Sequence, residues 1–483
     1  MNNDERPNVI LIVTDEMRAD SIGANNSNGA FTPHMDTMIR NGVNFTKAYS
    51  ACPSCIAARA SLLTGQDQYE TGFTGYQDKV LWQYTQTLPQ LMAENGYHTQ
   101  CVGKMHVYPP RNLLGFHNVV LHDGYLHAVR GNGGDYERYD DYLPWLRSKM
   151  GADADIIDDS LGCNGYAVRV WPWDERFHPS TFVSTQSIDF LRRRDTTKPF
   201  FLKISYHRPH PPLDPVRSFM EMYDGVDLPE PPLGDWRNKF TDSVGWGDSP
   251  VPSDKYSRDR ARKGYYALIT QIDYEINRLY MALGEYNLLH NTIIIFTSDH
   301  GDLLYDHKLC RKILPFEGSV HIPLFIYPHS ASRWVSRRGS SVDTVCELRD
   351  ILPTIMAECG IKIKEPVSGI DLYDLPAGRI LQGEHAAGDN SNFWITDGKE
   401  KFIWFCKSGL EMLFNLVDDP GELHDIVEED PTRTDYWRQK LVEKLSKRED
   451  EFVVNGKLQA GKYLNATQPW AGIGRSYYQS KSE

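Results

Sequence analysis

An α/β architecture, with a sheet covered by helices on both faces, is what the apolar pattern of this chain predicts. Three short runs point to it: Val9-Ile-Leu-Ile-Val-Thr14, Lys198-Pro-Phe-Phe-Leu-Lys-Ile-Ser-Tyr206 and Asn291-Thr-Ile-Ile-Ile-Phe-Thr-Ser298. Their apolar residues are nearly continuous, the habit of strands buried on both faces. Each run also delivers ionisable residues at its end: Asp15-Glu16, His207 to His210, and Asp299-His300. Open α/β sheets place their ligand sites at the carboxyl ends of their strands. A chain of 483 residues is long enough for one large domain of this class with a smaller one beside it.

After the first strand and its acidic end, the informative stretch is Cys52-Pro-Ser-Cys-Ile-Ala-Ala-Arg-Ala-Ser-Leu-Leu-Thr-Gly-Gln66. Pro53 and Ser54 favour a turn, and Ile56 to Leu63 favours a helix that opens at Cys55 and buries Leu62 and Leu63. A Cys at a helix N-terminus sits among unsatisfied N–H groups at the positive end of the dipole. That place suits a thiolate, or an anion held by whatever the Cys becomes. Arg59, one turn on, adds a fork-shaped positive charge to the same face. Cys52-x-x-Cys55 also reads as a redox dithiol or half a zinc site. Zinc needs a second ligand pair nearby, which the sequence lacks. A dithiol wants a strand ending at the motif, and Thr46 to Ser50 is only weakly strand-like.

Thr87 to Gly96 predicts a helix closed by Gly96, then a strand through Gln100-Cys-Val-Gly103, which hands over Lys104-Met-His106. Residues 112–179 are irregular and rich in Asp, Tyr, Gly and Trp, the composition of a substrate-binding elaboration. Ser184 to Arg194 reads as a helix. Prolines 209, 211 and 212 make a rigid turn able to hold the His210 imidazole over a pocket, with His207 structural. Lys263 to Tyr286 carries Leu268, Ile272, Ile276 and Leu279 on one stripe, a packing helix. Asp302 is expected to cap a turn, and His307 and His321 to be structural.

Leu348 to Gly360 predicts another helix, and composition shifts near 378–386. The expected division is a catalytic domain over 1–385 and an α+β subdomain over 386–483. In the latter, Phe393-Trp-Ile-Thr, Lys401-Phe-Ile-Trp-Phe and Met412-Leu-Phe-Asn-Leu read as short antiparallel strands, followed by a turn at Asp418 to Glu422 and an amphipathic helix over Asp435 to Arg448.

A net charge of −13 argues against nucleic acid and anionic membrane as partners and disfavours long polyanions. No run approaches the ~18 apolar residues of a membrane span. Met1-Asn-Asn-Asp-Glu-Arg-Pro7 has no apolar signal core, so a cytoplasmic location is expected, and eight scattered cysteines suit reduced thiols. The pattern carries no signal for oligomeric state.

Cys55-Ile-Ala-Ala-Arg59, continued by Leu62-Leu63-Thr64-Gly65, resembles the Cys-x-Pro/Ala-x-Arg signature of the type I sulfatases of the alkaline-phosphatase-like superfamily, with Ala57 in the Pro/Ala place. Other matches follow in the family's order. Asp15-Glu16 stands where the family has an Asp-Asp metal pair, with Glu one methylene longer. Gly103-Lys104-Met-His106 resembles Gly-Lys-Trp-His, and His210-Pro-Pro resembles the Pro-His-x-Pro turn. Asp299-His300 matches the second acidic metal pair. Lys312-Ile-Leu-Pro-Phe-Glu317, then His321-Ile-Pro-Leu324, is similar to Lys-x3-Tyr-Glu…Val-Pro-Leu.

The resemblance implies a large mixed, mostly parallel sheet sandwiched by helices, with a small C-terminal antiparallel sheet plus helix. It implies hydrolysis of a sulfate monoester, on a sulfated sugar or aryl sulfate, by formylglycine made from Cys55 by a maturase. It implies one divalent cation, Ca²⁺ in most of the family, held by Asp15, Glu16, Cys55, Asp299 and His300; the imidazole also admits Mn²⁺ or Mg²⁺. Arg59, Lys104 and Lys312 would balance the charge of sulfate, His210 or Lys312 would protonate the leaving oxygen, and His106 would assist release of sulfate. Phosphonate monoester or phosphodiester hydrolysis on the same scaffold is the alternative, and a thiol-bearing redox protein a more distant one.

Overall fold

The computed structural model describes residues 6–26, 28–124, 138–156, 161–245 and 254–482. Its main sheet has eight strands among the described residues: β1 (Asn8–Asp15), β2 (Val43–Phe45), β3 (His98–Gly103), β4 (Asn118–Leu121), β5 (Phe200–Pro209), β6 (Thr292–Ser298), β7 (Leu324–Tyr327) and β8 (Ser340–Val342). They lie in the order β8-β2-β7-β6-β1-β5-β3-β4. Neighbours are parallel except where β7 pairs antiparallel with β6 and β2. This is the mixed, mostly parallel sheet that the resemblance implies. β1 sits between β5 and β6, so the chain's first strand is a central one.

Alternation along β1 explains its unbroken apolar sequence. Val9, Leu11 and Val13 face a core shared with α1 (Cys55–Thr64), whereas Ile10 and Ile12 face a core shared with α2 (Pro179–Arg193) and α3 (Lys255–Glu285). All five are buried, each contributing about 1.5–3 kcal/mol of apolar transfer. The stripe Leu268, Ile272, Ile276 and Leu279 lies in the second of these cores, as its spacing requires.

Helix starts differ from the sequence reading because caps and prolines, not apolar periodicity, set them. α2 begins at Pro179, not Ser184, with His178 Nδ1 accepting from Ser180 N at 3.1 Å. α3 begins at Lys255, where Asp254 accepts from Ser257 N at 2.9 Å, and its first turns are polar. The predicted 348–360 helix is a 3₁₀ turn at Leu348–Asp350 running into a helix at Ile351–Glu358.

A four-stranded antiparallel sheet follows: β9 (Leu381–His385), β10 (Asn392–Thr396), β11 (Glu400–Phe405) and β12 (Glu411–Asn415). Sequence pattern missed β9, whose Gln382, Gly383 and Glu384 are not strand-like; it lies on the N-terminal side of position 386. Gly383 is needed there, since a Cβ would sit 2.2 Å from the Trp394 ring. Glu384 is buried against Arg448, which donates to it at 2.6 Å. One face of this sheet packs Trp394, Ile403 and Phe414 against Tyr49, Trp236 and Phe316. The other packs Phe393, Phe402 and Trp404 on α4 (Pro431–Leu445).

Residues 112–179 contain β4 and a helix at Tyr142–Met150, and residues 125–137 and 157–160 of this segment lie outside the described ones. No helix among the described residues is long and apolar enough to cross a membrane.

His307 joins the two sheets' surroundings. Its Nδ1 accepts from Gly234 N at 3.0 Å and its ring lies 4.7 Å from Trp236. Burial, reinforced by Arg18, Lys401 and Arg237, pushes the imidazole down to about 3. The unfolded chain therefore binds this proton first, and stability is lost as pH falls below the ordinary histidine value of about 6.5. At about pH 5 the loss from this group is about 2 kcal/mol. Asn supplies the same acceptor and tolerates the left-handed backbone at φ 53. His307→Asn is expected to lose less melting temperature than the parent between about pH 7 and about pH 5; equal losses would refute the assignment.

Candidate active site

Four adjacent parallel strands deliver their ends to one place. β6 hands over Asp299 and His300, β1 ends in Asp15 and Glu16, β5 hands over His210, and β3 hands over Lys104. The ladder continues past the strands and fixes these residues: Asp299 N donates to Thr14 O at 3.1 Å, His210 N to Asp15 O at 3.2 Å, and Lys104 N to Ser205 O at 2.9 Å. The last approach needs Gly103, where φ is +98° and a Cβ would lie 2.0 Å from Ser205 O. Ser298 Oγ donates to His300 O at 2.8 Å and accepts from Met17 N at 2.9 Å, which ties the two acidic strand ends together.

α1 opens at Cys55 after the Ser54 cap, as its sequence predicts, and aims its N-terminus at these strand ends. Cys55 Sγ lies 3.2 Å from His300 Nε2 and 3.7 Å from Asp15 Oδ1. Asp15, Cys55, Asp299 and His300 each offer a ligand atom, all within 4.8 Å of one another and all buried. Asp15, Glu16 and His210 form an adjoining set of the same kind. Carboxylate, imidazole and residue 55 together make a donor set that fits a divalent cation. His300 Nδ1 donates to Gly301 O at 2.9 Å, which leaves Nε2 turned into the cluster.

Arg59 sits behind the cluster, fully buried. Its Nε and Nη2 meet Asp299 Oδ2 at 3.0 and 2.9 Å, and Nη2 lies 4.0 Å from Asp15. Its Nη1 donates to Ser205 Oγ at 2.9 Å and to Lys104 O at 3.1 Å. Its charge is thus engaged by protein carboxylates. Lys104 Nζ pairs with Asp15 Oδ2. Lys312 Nζ meets Glu16 Oε1 at 3.2 Å, and His210 Nε2 meets Glu16 Oε2 at 3.2 Å. Glu16 therefore bridges Lys312 and His210.

Burial pushes the Cys55 thiol up, as does Asp15, yet Lys104, Lys312 and His300 outweigh both and hold it well below its ordinary value. Burial and Glu384 push Cys52 well up, so the two thiols differ in character, and neither forms a disulfide. Asp15 is held low: Lys104, His210, Arg59 and His300 overcome its burial. Asp299 is raised by burial and by Asp15. Glu16 is pushed up to about 8 by burial despite Lys312, and His300 up to about 9 by Asp299 against burial. His210 is held well down by burial and Lys312.

His106 is not among these ligand atoms. Its backbone N–H meets Asp123 Oδ1 at 3.2 Å and its ring lies 6.0 Å from that of Tyr76. Asp302 organises the loop that carries Lys312, accepting from Leu304 N and Arg311 N at 2.8 Å, the capping role expected of it. His207, His307 and His321 are buried or half-buried in packing positions. Sequence reasoning missed Lys203, whose Nζ donates to Lys104 O at 3.0 Å from a fully buried position, and Asp123 and Ser205. A lysine inside the apolar β5 run is the signal that could have found the first.

Residues 7–361 match the family described as Sulfatase. The arylsulfatase of Clostridium perfringens (strain 13 / Type A) is 45% identical over 471 residues, covering 94% of this chain and 98% of that protein. The chain belongs to the sulfatase family. This sulfatase hydrolyses sulfate esters, and its family generally uses a divalent metal and formylglycine. In fold it is similar to the phosphonate monoester hydrolase of Agrobacterium radiobacter, with a TM-score of 0.75, 22% identity and coverage of 92% of this chain and 95% of that one. It is likewise similar to a protein solved with its substrate D-glucosamine-2-N,6-O-disulfate, with a TM-score of 0.72, 20% identity and coverage of 92% and 99%.

Removing one partner of a buried ion pair leaves the other uncompensated, at a cost of about 3–5 kcal/mol. Arg59→Ala is expected to lose stability of this order in denaturant unfolding, and Arg59→Lys, which lacks the fork, to recover only part of it. A fully stable Arg59→Ala variant would show that the carboxylates do not need this cation.

Proposed function

We propose that the sulfatase acts on aryl sulfates, with Cys55 matured to formylglycine and a divalent cation held beside it. The observation that carries the reading is Cys55 itself, buried at a helix N-terminus within ligand distance of His300 and Asp15. The chain's 45% identity to a protein named arylsulfatase supports the aryl preference. A maturase is the implied partner. A reducing, cytoplasmic setting belongs to the same reading, in keeping with cysteines that form no disulfide.

Asp15, Asp299 and His300, with residue 55, would hold the cation; bound there, it polarises a sulfate oxygen and lowers the pKa of the attacking hydroxyl. Ca²⁺ suits the two carboxylates, and the imidazole also accommodates Mn²⁺ or Mg²⁺. As formylglycine hydrate, residue 55 offers one hydroxyl to attack sulfur and a second through which sulfate leaves. Lys104, paired with Asp15, and Lys312, paired with Glu16, draw the anion in. Glu16 orients Lys312 and His210, and its longer side chain reaches both of them. His210, with Nδ1 donating to Pro211 O at 2.9 Å, keeps Nε2 for the leaving-group proton, supplied through Glu16 or Lys312. His106 assists departure of sulfate from residue 55. Arg59 holds Asp299 and the Lys104 backbone in place.

Phosphonate monoester hydrolysis is the competing chemistry, and parallel assays of aryl sulfate and aryl phosphonate esters decide between them. Chelation is expected to abolish turnover and to release bound metal, and Ca²⁺ or Mn²⁺ to restore both; full activity in metal-free protein would refute the metal. Peptide mass spectrometry of active protein is expected to find an aldehyde at residue 55 and an intact Cys52. Active protein with an unmodified Cys55 would overturn the formylglycine assignment.

A further inference from the structure

The turn that follows Gly72 carries no motif, yet two distant segments hold it. Phe73 bridges Thr467, Thr74 N donates to Ala466 O at 3.0 Å, and Thr74 Oγ1 donates to Asn465 O at 2.6 Å. Gln468 N donates to Gly72 O at 2.8 Å. From the other side, the residue after β9 takes over: Ala386 N donates to Thr74 O at 2.7 Å, and Gly75 bridges Ala386. Thr71, Phe73 and Thr74 are fully buried as a result.

The next residue, Tyr76, behaves differently. It is 51% exposed, and its ring meets that of His106 edge-on, with centroids 6.0 Å apart and planes at 61°. Its hydroxyl is pushed up to about 12, chiefly by burial and Asp78, and it also feels the charges of Cys55 and Lys312. It packs on the histidine two residues beyond Lys104, whose Nζ pairs with Asp15, so its ring stands at the edge of the charged cluster. An exposed tyrosine is unremarkable on a mobile loop. Here the backbone on its N-terminal side is pinned by hydrogen bonds to two segments, so the ring is presented at little entropic cost.

We propose that Tyr76 is the wall on which the ring of the leaving alcohol stacks, making it a specificity-determining residue for ring-bearing sulfate esters. The inference rests on the sulfate-ester reading of the site and adds the part of the substrate that the charged cluster does not touch. An edge or offset stack on one aromatic ring corresponds to a roughly threefold to tenfold change in affinity.

The test compares the mature parent with Tyr76→Ala and Tyr76→Phe, using para-nitrophenyl sulfate as substrate. Inorganic sulfate and ethyl sulfate, which have no ring, serve as competitive inhibitors. Tyr76→Ala should raise KM for the aryl ester roughly threefold to tenfold with little change in kcat, and leave both inhibition constants at the parent values. Tyr76→Phe should restore the parent KM, since the ring and not the hydroxyl does the work. An unchanged KM in Tyr76→Ala, or equal weakening of the ring-free anions, overturns the proposal while the parent's activity leaves the sulfatase reading intact. A mature parent inactive on the aryl ester overturns that reading, and Tyr76's role with it.

Discussion

Asp15 and Asp299 stand at the ends of adjacent parallel strands, without contact with water. Two carboxylates that close repel strongly in a poorly polarisable interior, and neither can be left unpaired. Much of the surrounding structure answers that repulsion. Arg59 reaches them from the helix behind, Lys104 from the end of β3, two strands from β1, and His300 from the residue after Asp299. Two of these cations, Lys104 and His300, also depress the Cys55 thiol, so the charge balance of the carboxylates and the reactivity of residue 55 are linked.

What was legible in the sequence was whatever a strand end or a helix start dictates. Asp15, Asp299 and His300 followed from apolar runs ending in ionisable residues, and Cys55 from a turn running into a helix. Lys104, His210 and Lys312 came from the family's motif order, and the structure brings them to the same cluster. Partnerships were less legible. Arg59 has the same sequence whether it faces a sulfate or a carboxylate; only the fold shows Asp299 within 2.9 Å of it. Glu16 looked like a lengthened metal ligand, and its extra methylene lets one carboxylate meet both Lys312 and His210.

Local pattern failed in two recognisable ways. Helices α2 and α3 begin before their apolar stripes do, because a cap and a proline set the start. β9 is a strand in spite of its composition: the glycine is there for a tryptophan ring across the sheet, and the glutamate for an arginine. The helix signals are local but polar, so an apolar stripe does not contain them; the strand's partners, Trp394 and Arg448, lie outside its own window. The segment holding Tyr76 is the extreme example, since residues 465 to 468 complete it.

Cys55 is 2% exposed, enclosed by groups drawn from residue 15 to residue 312. A growing chain releases them in sequence. At a translation rate of about 5–20 residues per second, on the order of ten to fifty seconds pass between the emergence of residue 55 and that of Lys312. For most of that interval β6 has yet to emerge, and the helix start at Cys55 has no roof. Any protein that must handle this side chain finds it open before the later strands fold, and their folding closes it. The wide sequence separation of the site's halves is thus also a clock.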